Sequence, residues 1–471
     1  MFGLDFGLTV LLLFCLFAAA AFEFINGFHD TANAVATVIY THSLKPRVAV
    51  IWSGIWNFIG VFLGGIAVAM GIVNLLPTEV LVDANLSHNI ALILALILTA
   101  IIWNLGTWYY GIPCSSSHTL IGSIFGVGLA FMLIPGSHSV ALNWGKVQDV
   151  GLSLLFSPIF GFGLAFLIMY LLNHFVKNKE IFKTPPADKT PPMWIRSIMI
   201  LTCTGVSFSH GSNDGQKGVG LVMIILIAII PVHFALDKSK DPSKLYSAAY
   251  SIEQTFNKVD TTKINAEDFK LLKSITKSTG TITIPLKDMK SYSGLEDSKF
   301  FNIRKGIILI TKQLDKITSG KIKTGFGFSK TQMKSLKDDT KKLKSYIEFA
   351  PFWVILMISL SLGLGTMIGW KRIVITIGEK IGKTSMTYAQ GATANLIAAA
   401  TIGASTGLGL PVSTTHVLSS GVAGTMVASH GRKNVQKKTL KSIALAWLLT
   451  LPVTIVLSGA LFLLFRWLFS L

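Results

Sequence analysis

Charge is scarce in this 471-residue chain: 14% of its residues are charged and 51% are hydrophobic, with a mean hydropathy of +0.59. Soluble globular domains carry about 25% charged residues, so the balance excludes an ordinary cytosolic enzyme. Cysteine is nearly absent. Cys15, Cys114 and Cys203 all fall in apolar segments, which excludes a disulfide framework and a metal-ligand spacing. A basic leader is missing ahead of the apolar stretch 11–22, where Asp5 stands instead. That stretch therefore reads as a first transmembrane helix and not as a signal peptide. Acid is scarcer than base, 23 Asp and Glu against 42 Lys and Arg, for a net charge of +19. In a soluble protein that excess would suggest nucleic acid, but its placement here argues otherwise.

Residues 237–348 hold 23 basic and 13 acidic residues, leaving 19 and 10 in the other 359. Those 359 are dominated by apolar runs near 6–22, 48–74, 89–110, 119–135, 151–176, 196–206 with 218–236, 349–370, 387–410, 417–429 and 442–465. Several reach the ~20 residues that a helix needs to cross ~30 Å of hydrocarbon. The expectation is an all-α polytopic membrane protein in a lipid bilayer, with 237–348 as a polar, helical, extramembrane insertion. Lys-rich stretches at 258–277 and 330–344 are candidate amphipathic helices, with Leu336, Leu343 and Ile347 at helical spacing.

The apolar part contains an internal repeat. Residues 23–35 (EFINGFHDTANAV) and 207–219 (SFSHGSNDGQKGV) coincide at Phe24/Phe208, Gly27/Gly211, Asp30/Asp214 and Val35/Val219. Pro113-Cys-Ser-Ser-Ser-His118 matches Pro411-Val-Ser-Thr-Thr-His416, each preceded by a glycine two residues earlier. Asp30 precedes His118 by 88 residues, and Asp214 precedes His416 by 202, or 90 once the 112-residue insertion is set aside. Two motifs thus recur in one order at nearly one separation.

Loop charge assigns sides. The loops 41–47, 177–196, 371–383 and 431–441 are basic, whereas 75–88 carries Glu79 and Asp83, and 136–150 only Lys146 and Asp149. The positive-inside rule puts the first four in the cytoplasm. Corresponding loops of the two halves then fall on opposite sides. The fold expected is about ten transmembrane helices in two inverted-topology repeats with broken or re-entrant helices, both termini periplasmic. The divisions are 1–176 (first repeat), 177–195 (cytoplasmic linker), 196–236 (start of the second repeat), 237–348 (periplasmic insertion) and 349–471 (remainder of the second repeat).

Four of the ten acids outside the insertion lie in or beside apolar segments: Glu23, Asp30, Asp214 and Glu379. A carboxylate near the bilayer centre costs at least about 2.5–3.5 kcal/mol, so two at matched repeat positions point to an ion or substrate site over helix-to-helix glue. Glycines around both aspartates are expected to bend or break the helices there. The Pro-x-Ser-Ser/Thr-Ser/Thr-His stretches read as starts of half-helices, with proline in the first turn and hydroxyls as caps. Free amides and hydroxyls at such an N-terminus suit an oxyanion, and discontinuous helices meeting at the midplane of repeats suit a secondary transporter. Aspartate alone would repel an anion, so a co-bound cation or proton is required. Lys217, where the first half has Asn33, reads as a fixed positive charge beside the anion, or as a lysine reaching for the interface. His29, His118, His210 and His416 are candidate proton carriers.

These motifs resemble the inorganic phosphate transporter (Pit/PiT) family, closest to its bacterial low-affinity branch. The resemblance is carried by Gly27-Phe-His-Asp-Thr-Ala-Asn33, Ser209-His-Gly-Ser-Asn-Asp-Gly-Gln-Lys-Gly218, Trp103-Asn-Leu-Gly-Thr-Trp108 and Pro411–His416, and it spans the membrane part. It implies uptake of inorganic phosphate across a bacterial inner membrane, as a metal–hydrogenphosphate complex with protons, or with sodium in other relatives. It places Asp30, Asp214, Asn33 and Asn213 at the phosphate and cation sites, with Ser115, Ser116, Ser413 and Thr414 on the hairpin tips; the residues themselves add Lys217 at the phosphate and His29, His118 and His416 at cation or proton coupling. It implies no cofactor and no structural metal beyond the co-transported protons or Na+ and a divalent metal carried on the phosphate. No nucleic-acid partner is expected, and a homodimer is left open. His29 and Lys217 stand where the family signature has asparagine, which favours protons over sodium. An intramembrane Ser/His/Asp hydrolase is disfavoured because the whole set recurs and no G-x-S-x-G stands in the context of a nucleophile elbow. An anion channel is separated from a transporter by concentrative uptake.

Overall fold

The structure, a computed structural model, describes residues 3–76, 86–134, 142, 144–186 and 189–469. Loop residues Glu79 and Asp83 lie outside the described residues. Two compact units emerge, one formed by residues 4–77, 85–225 and 350–471, and one centred on Leu226–Phe349.

The larger unit is helical. Its elements are α1 (Phe6–Tyr40), α2 (Pro46–Leu63), α3 (Ala67–Val73), α4 (Leu86–Tyr109), α5 (Ser116–Met132), α6 (Trp144–Phe175) and α7 (Met193–His210). A π-helical turn, Gly211–Gly215, joins α7 to α8 (Gln216–Ile229). Among the described residues, α1, α2, α4, α6 and the final helix Lys437–Phe469 are long and apolar enough to cross a membrane; a bent pair, Phe352–Thr366 and Lys371–Glu379 at 63°, makes a sixth if taken as one span.

The smaller unit contains a short helix, α9 (Pro231–Phe234), followed by α10 (Pro242–Asn257), α11 (Ala266–Leu286), α12 (Asp297–Thr318) and α13 (Lys330–Ser345). Each successive pair packs together, and α10 closes the ring against α13. Ile252, Phe256, Ile275, Ile303, Leu336 and Leu343 fill the interior. Helix starts follow from local chemistry: Asp241 accepts from Ser243 N–H ahead of Pro242, Asn265 from Asp268 N–H, and Ser329 with Gln332 forms a capping box. Residues 258–265 are therefore a capped connection and not part of a helix over 258–277. The chain enters and leaves at adjacent points, since Asp237 N–H donates to Tyr346 C=O at 2.8 Å. Buried Arg304 donates to the carbonyls of Ala235 at 2.9 Å and of Phe234 and Ile347 nearby. Burial lowers its guanidinium to about 10, so it remains charged at neutral pH.

The larger unit is completed by α14 (Phe352–Thr366), α15 (Lys371–Glu379), α16 (Tyr388–Gly407), α17 (Thr414–His430) and α18 (Lys437–Phe469). Its helix pairs exchange between halves. Helix α1 packs on α14 while α7 packs on α2, and α5 packs on α18 while α17 packs on α6. Each repeat element thus lies against the other half's counterpart of its own neighbour.

Two expectations are corrected. The glycine beside Asp30 does not break α1, which is continuous over 35 residues, about 52 Å at 1.5 Å per residue. Gly27 serves close approach instead: a Cβ there would lie 2.5 Å from Leu362 C=O on α14. Only the second copy departs from the α-helix, at the π-helical turn, where a Cβ on Gly211 would sit 2.2 Å from Asn57 C=O. The prolines also stand outside the first helical turns. Helices α5 and α17 begin at Ser116 and Thr414 on the expected hydroxyl caps, Ser115 and Ser413, so Pro113 and Pro411 lie two residues before the caps.

Candidate functional site

The site begins with two caps of nearly identical geometry. Ser115 has φ −95° and ψ 110° and accepts from His118 N–H; Ser413 has φ −93° and ψ 106° and accepts from His416 N–H. Ahead of each, the preceding helix ends on a glycine in the left-handed region, Gly111 and Gly409, both at φ +67°. A Cβ is disfavoured there. Ile112 N–H donates to Thr107 C=O, and Leu410 N–H to Ser405 C=O, so both turns close in the same way. The repeated motif is therefore a repeated structure: a helix end, a glycine reversal and a serine-capped new helix inside the protein.

Both hairpins deliver hydroxyls to the matched aspartates. Ser116 Oγ donates to Asp30 Oδ2 at 3.0 Å, and Thr414 Oγ1 donates to Asp214 Oδ2 at 3.3 Å. The third hydroxyl of each hairpin crosses to the other copy. Asn33 Nδ2 donates to Thr415 Oγ1 at 3.1 Å and to Asp30 Oδ1 at 3.3 Å. At the matched position Lys217 Nζ donates to Ser117 Oγ and contacts Asp214 Oδ1 at 2.5 Å. Lys217 also donates to Val412 C=O at 3.0 Å and is 2% exposed, so it points into the cluster and not toward an interface.

His210 joins the two halves. Its Nε2 stands 3.7 Å from Asp30 Oδ2 and 3.5 Å from Asp214 Oδ2, while Nδ1 meets Asn57 Oδ1 at 2.8 Å. The ring ends α7, and Asp214 follows one turn later in the π-helical segment, which sets both on the face toward α1. Asp30, His210 and Asp214 each offer a ligand atom within 4.8 Å of the others, so the trio has the spacing of a cation site. His29 flanks it, with Nδ1 3.3 Å from Asp30 Oδ1 and Nε2 3.3 Å from Thr107 Oγ1 on α4. All of these side chains are buried or nearly so.

Electrostatically the cluster holds two carboxylates against one fixed cation, Lys217. A proton on His210 brings these four groups to neutrality. An anion then needs a further cation or proton to enter without excess charge.

The remaining expected residues are placed differently. Asn213 binds the hairpin itself: Nδ2 donates to Thr406 Oγ1 and Leu410 C=O, and Oδ1 accepts from Val412 N–H at 3.2 Å. Ser115 Oγ is engaged by His118, at the backbone and at Nδ1. The rings of His118 and His416 pack at a tilt of 36° with centroids 4.4 Å apart, and the His416 and Trp447 centroids are 3.9 Å apart. They join the two hairpins, while His29 and His210 hold the carboxylates. Glu379 is exposed and accepts from Tyr40 Oη at 2.7 Å, away from the buried acids. Sequence reasoning raised His210 only as a proton carrier; its bridging place follows from its position four residues before Asp214, one turn away. Asn57 carries no repeat signature, and Thr415 stood in the repeated hairpin motif only as a candidate cap, whereas its hydroxyl donates to Asp30 Oδ1 at 2.7 Å.

Comparison with known proteins identifies the family. The model of the phosphate transporter family (PHO4) matches residues 26–458. A low-affinity inorganic phosphate transporter of Buchnera aphidicola (subspecies Acyrthosiphon pisum) is 42% identical, covering 97% of each chain. The low-affinity inorganic phosphate transporter PitA of Escherichia coli K12 is also 42% identical, covering 98% of this chain and 97% of that one. A solved sodium-dependent phosphate transporter shares the fold, with a TM-score of 0.53 and 20% identity over 97% of this chain and 98% of its own. These relatives are transporters and not enzymes, which removes the hydrolase reading. The capped hairpins, the matched aspartates and the full-length likeness together establish that the chain belongs to the phosphate transporter family.

Proposed function

We propose that this protein imports inorganic phosphate, as a metal–hydrogenphosphate complex, by proton symport and alternating access in a bacterial inner membrane. One observation carries the reading: Asp30 and Asp214, from matched copies, converge on His210 in a buried cluster at the mouths of two helix N-termini. Amides of the first turns of α5 and α17, with the Ser116 and Thr414 hydroxyls, suit the phosphate oxygens. Lys217 balances part of the anion's charge. The carboxylates take up and release cations or protons as the anion enters and leaves.

Coupling to a cation is an energetic necessity. Carrying one negative charge inward against an interior-negative potential costs about 2.3 kcal/mol per 100 mV. The exchanged pairing of α1 with α14 and α7 with α2 supports two inverted repeats moving about a central site that both hairpins cap. In this reading the ten crossings place both termini and the 237–348 insertion in the periplasm and the basic loops in the cytoplasm.

Protons are favoured over sodium by the amides. Asn213, which would supply an oxygen to sodium, has its Oδ1 on Val412 N–H, its matched position is His29, and the position matched to Asn33 is Lys217. Uptake of labelled phosphate at fixed pH with and without sodium tests this. Concentrative uptake in sodium-free buffer is expected. Strict sodium dependence removes the proton reading, and equilibration without accumulation makes the protein a channel.

A further inference from the structure

Glu23 is a fourth buried acid that the aspartate cluster does not use. It lies on α1 seven residues, or about two turns, before Asp30 and is 0% exposed. Its Oε1 accepts from Asn26 Nδ2 at 2.9 Å. Among the described residues its Oε2 has no hydrogen-bond partner, and neither has Asn26 Oδ1 beside it. No ion pair reaches it among the described residues, whose buried pairs centre on Asp30 and Asp214. A carboxylate held charged in this way is costly, because nothing replaces the water it has lost.

A second observation shows that the space around Oε2 is made by the fold. Gly218 directly follows Lys217, and a Cβ at Gly218 would stand 2.4 Å from Glu23 Oε2, with Ile358 on the other flank at 3.1 Å. The free oxygen thus occupies a notch on α8 that only glycine leaves open, one residue past the cation of the cluster. Asp214, His210 and Lys217 are the charged groups near enough to act on it. Helix α14, which contributes Ile358, contains no titratable residue.

Two acceptor oxygens therefore face each other's surroundings with no donor. A proton on Oε2 supplies a donor. A divalent metal does not fit, since it takes about six or more oxygen ligands and Glu23 with Asn26 offers too few. We propose that Glu23 is a proton-carrying carboxyl of the transport cycle, additional to the Asp30–His210–Asp214 cluster; this rests on the proton-symport reading. The step balances simply. The carboxylate takes one proton from the side on which phosphate enters, becomes a neutral acid, and returns to carboxylate by releasing that proton on the other side. Only an O–H bond forms and breaks.

The test is the proton-to-phosphate ratio of purified full-length protein in proteoliposomes, read with a pH dye and labelled phosphate. Glu23→Gln is expected to lower the ratio by one proton per phosphate and to reduce accumulation driven by a pH gradient about tenfold or more, while phosphate exchange at equal pH persists. Wild-type proton movement matched in full by Glu23→Gln overturns the assignment alone. Phosphate transport by the wild type with no proton movement overturns the symport reading and the assignment with it. Should Glu23→Gln fail to insert, Glu23→Asp decides, because it keeps an acid but withdraws it from the Gly218 notch. A displaced pH profile of uptake supports the proposal, and a wild-type profile overturns it.

Discussion

At the scale of single residues, the account rests on which buried charges are balanced. Asp30→Asn and Asp214→Asn should each abolish accumulation while leaving the amount of protein in the membrane unchanged, as measured by uptake beside immunoblots. Wild-type uptake in either variant refutes the assignment. Lys217 is different, because its loss strands Asp214 in the interior. Lys217→Met should destabilise the purified protein by about 3–5 kcal/mol, the usual cost of one unpaired partner of a buried pair. The double variant Lys217→Met, Asp214→Asn should recover much of that loss in a thermal-unfolding cycle. The aspartates were legible in the sequence because acid is rare there and they fall at matched positions. Asn213 was legible as a motif residue but not as a hairpin pin, since its partners Thr406, Leu410 and Val412 lie some 200 residues away in the chain. Glu23 drew notice as an acid in an apolar run, yet its notch needs Gly218, which only the packing of α8 brings to it.

Among elements, close helix approach governs the fold. A Cβ on Gly126 of α5 would fall 2.1 Å from Ile455 C=O and Ser458 Oγ of α18, and one on Gly424 of α17 would fall 2.5 Å from Phe162 C=O of α6. These two contacts belong to corresponding helix pairs of the two halves. Gly126→Val should therefore prevent α5 from seating on α18, and size-exclusion chromatography in detergent should lose the monodisperse peak. A variant that elutes and transports normally would contradict the packing. The capped starts of α5 and α17 could be read from Ser-Ser-Ser-His and Ser-Thr-Thr-His, because hydroxyl caps have local causes. The continuity of α1 through Gly27 could not. Whether a glycine breaks a helix or admits a neighbour depends on what lies against it, here Leu362 and Gly365 of α14.

For the whole molecule, the composition divides an apolar helical part from a polar one. The basic surplus of residues 237–348 belongs to a helical unit with its own interior and with adjacent entry and exit at Asp237 and Tyr346. Replacing residues 238–345 with a short glycine–serine linker should leave phosphate uptake at low and high salt unchanged. Loss of uptake only at low salt would instead assign its basic surface an anion-attracting role. The insertion was visible as a break in hydropathy, and the two halves as repeated motifs. The exchanged pairing of helices between halves was not visible, because it is a property of tertiary contacts and not of either copy alone.

The central claim is that buried carboxylates, joined through His210, couple phosphate entry to protons. Sodium-free proteoliposomes with an imposed pH gradient, acid outside, test it most directly. Labelled phosphate should accumulate in wild-type vesicles, leak back when a protonophore collapses the gradient, and not accumulate with Asp214→Asn. Accumulation that ignores the pH gradient and appears only when sodium is added would contradict it.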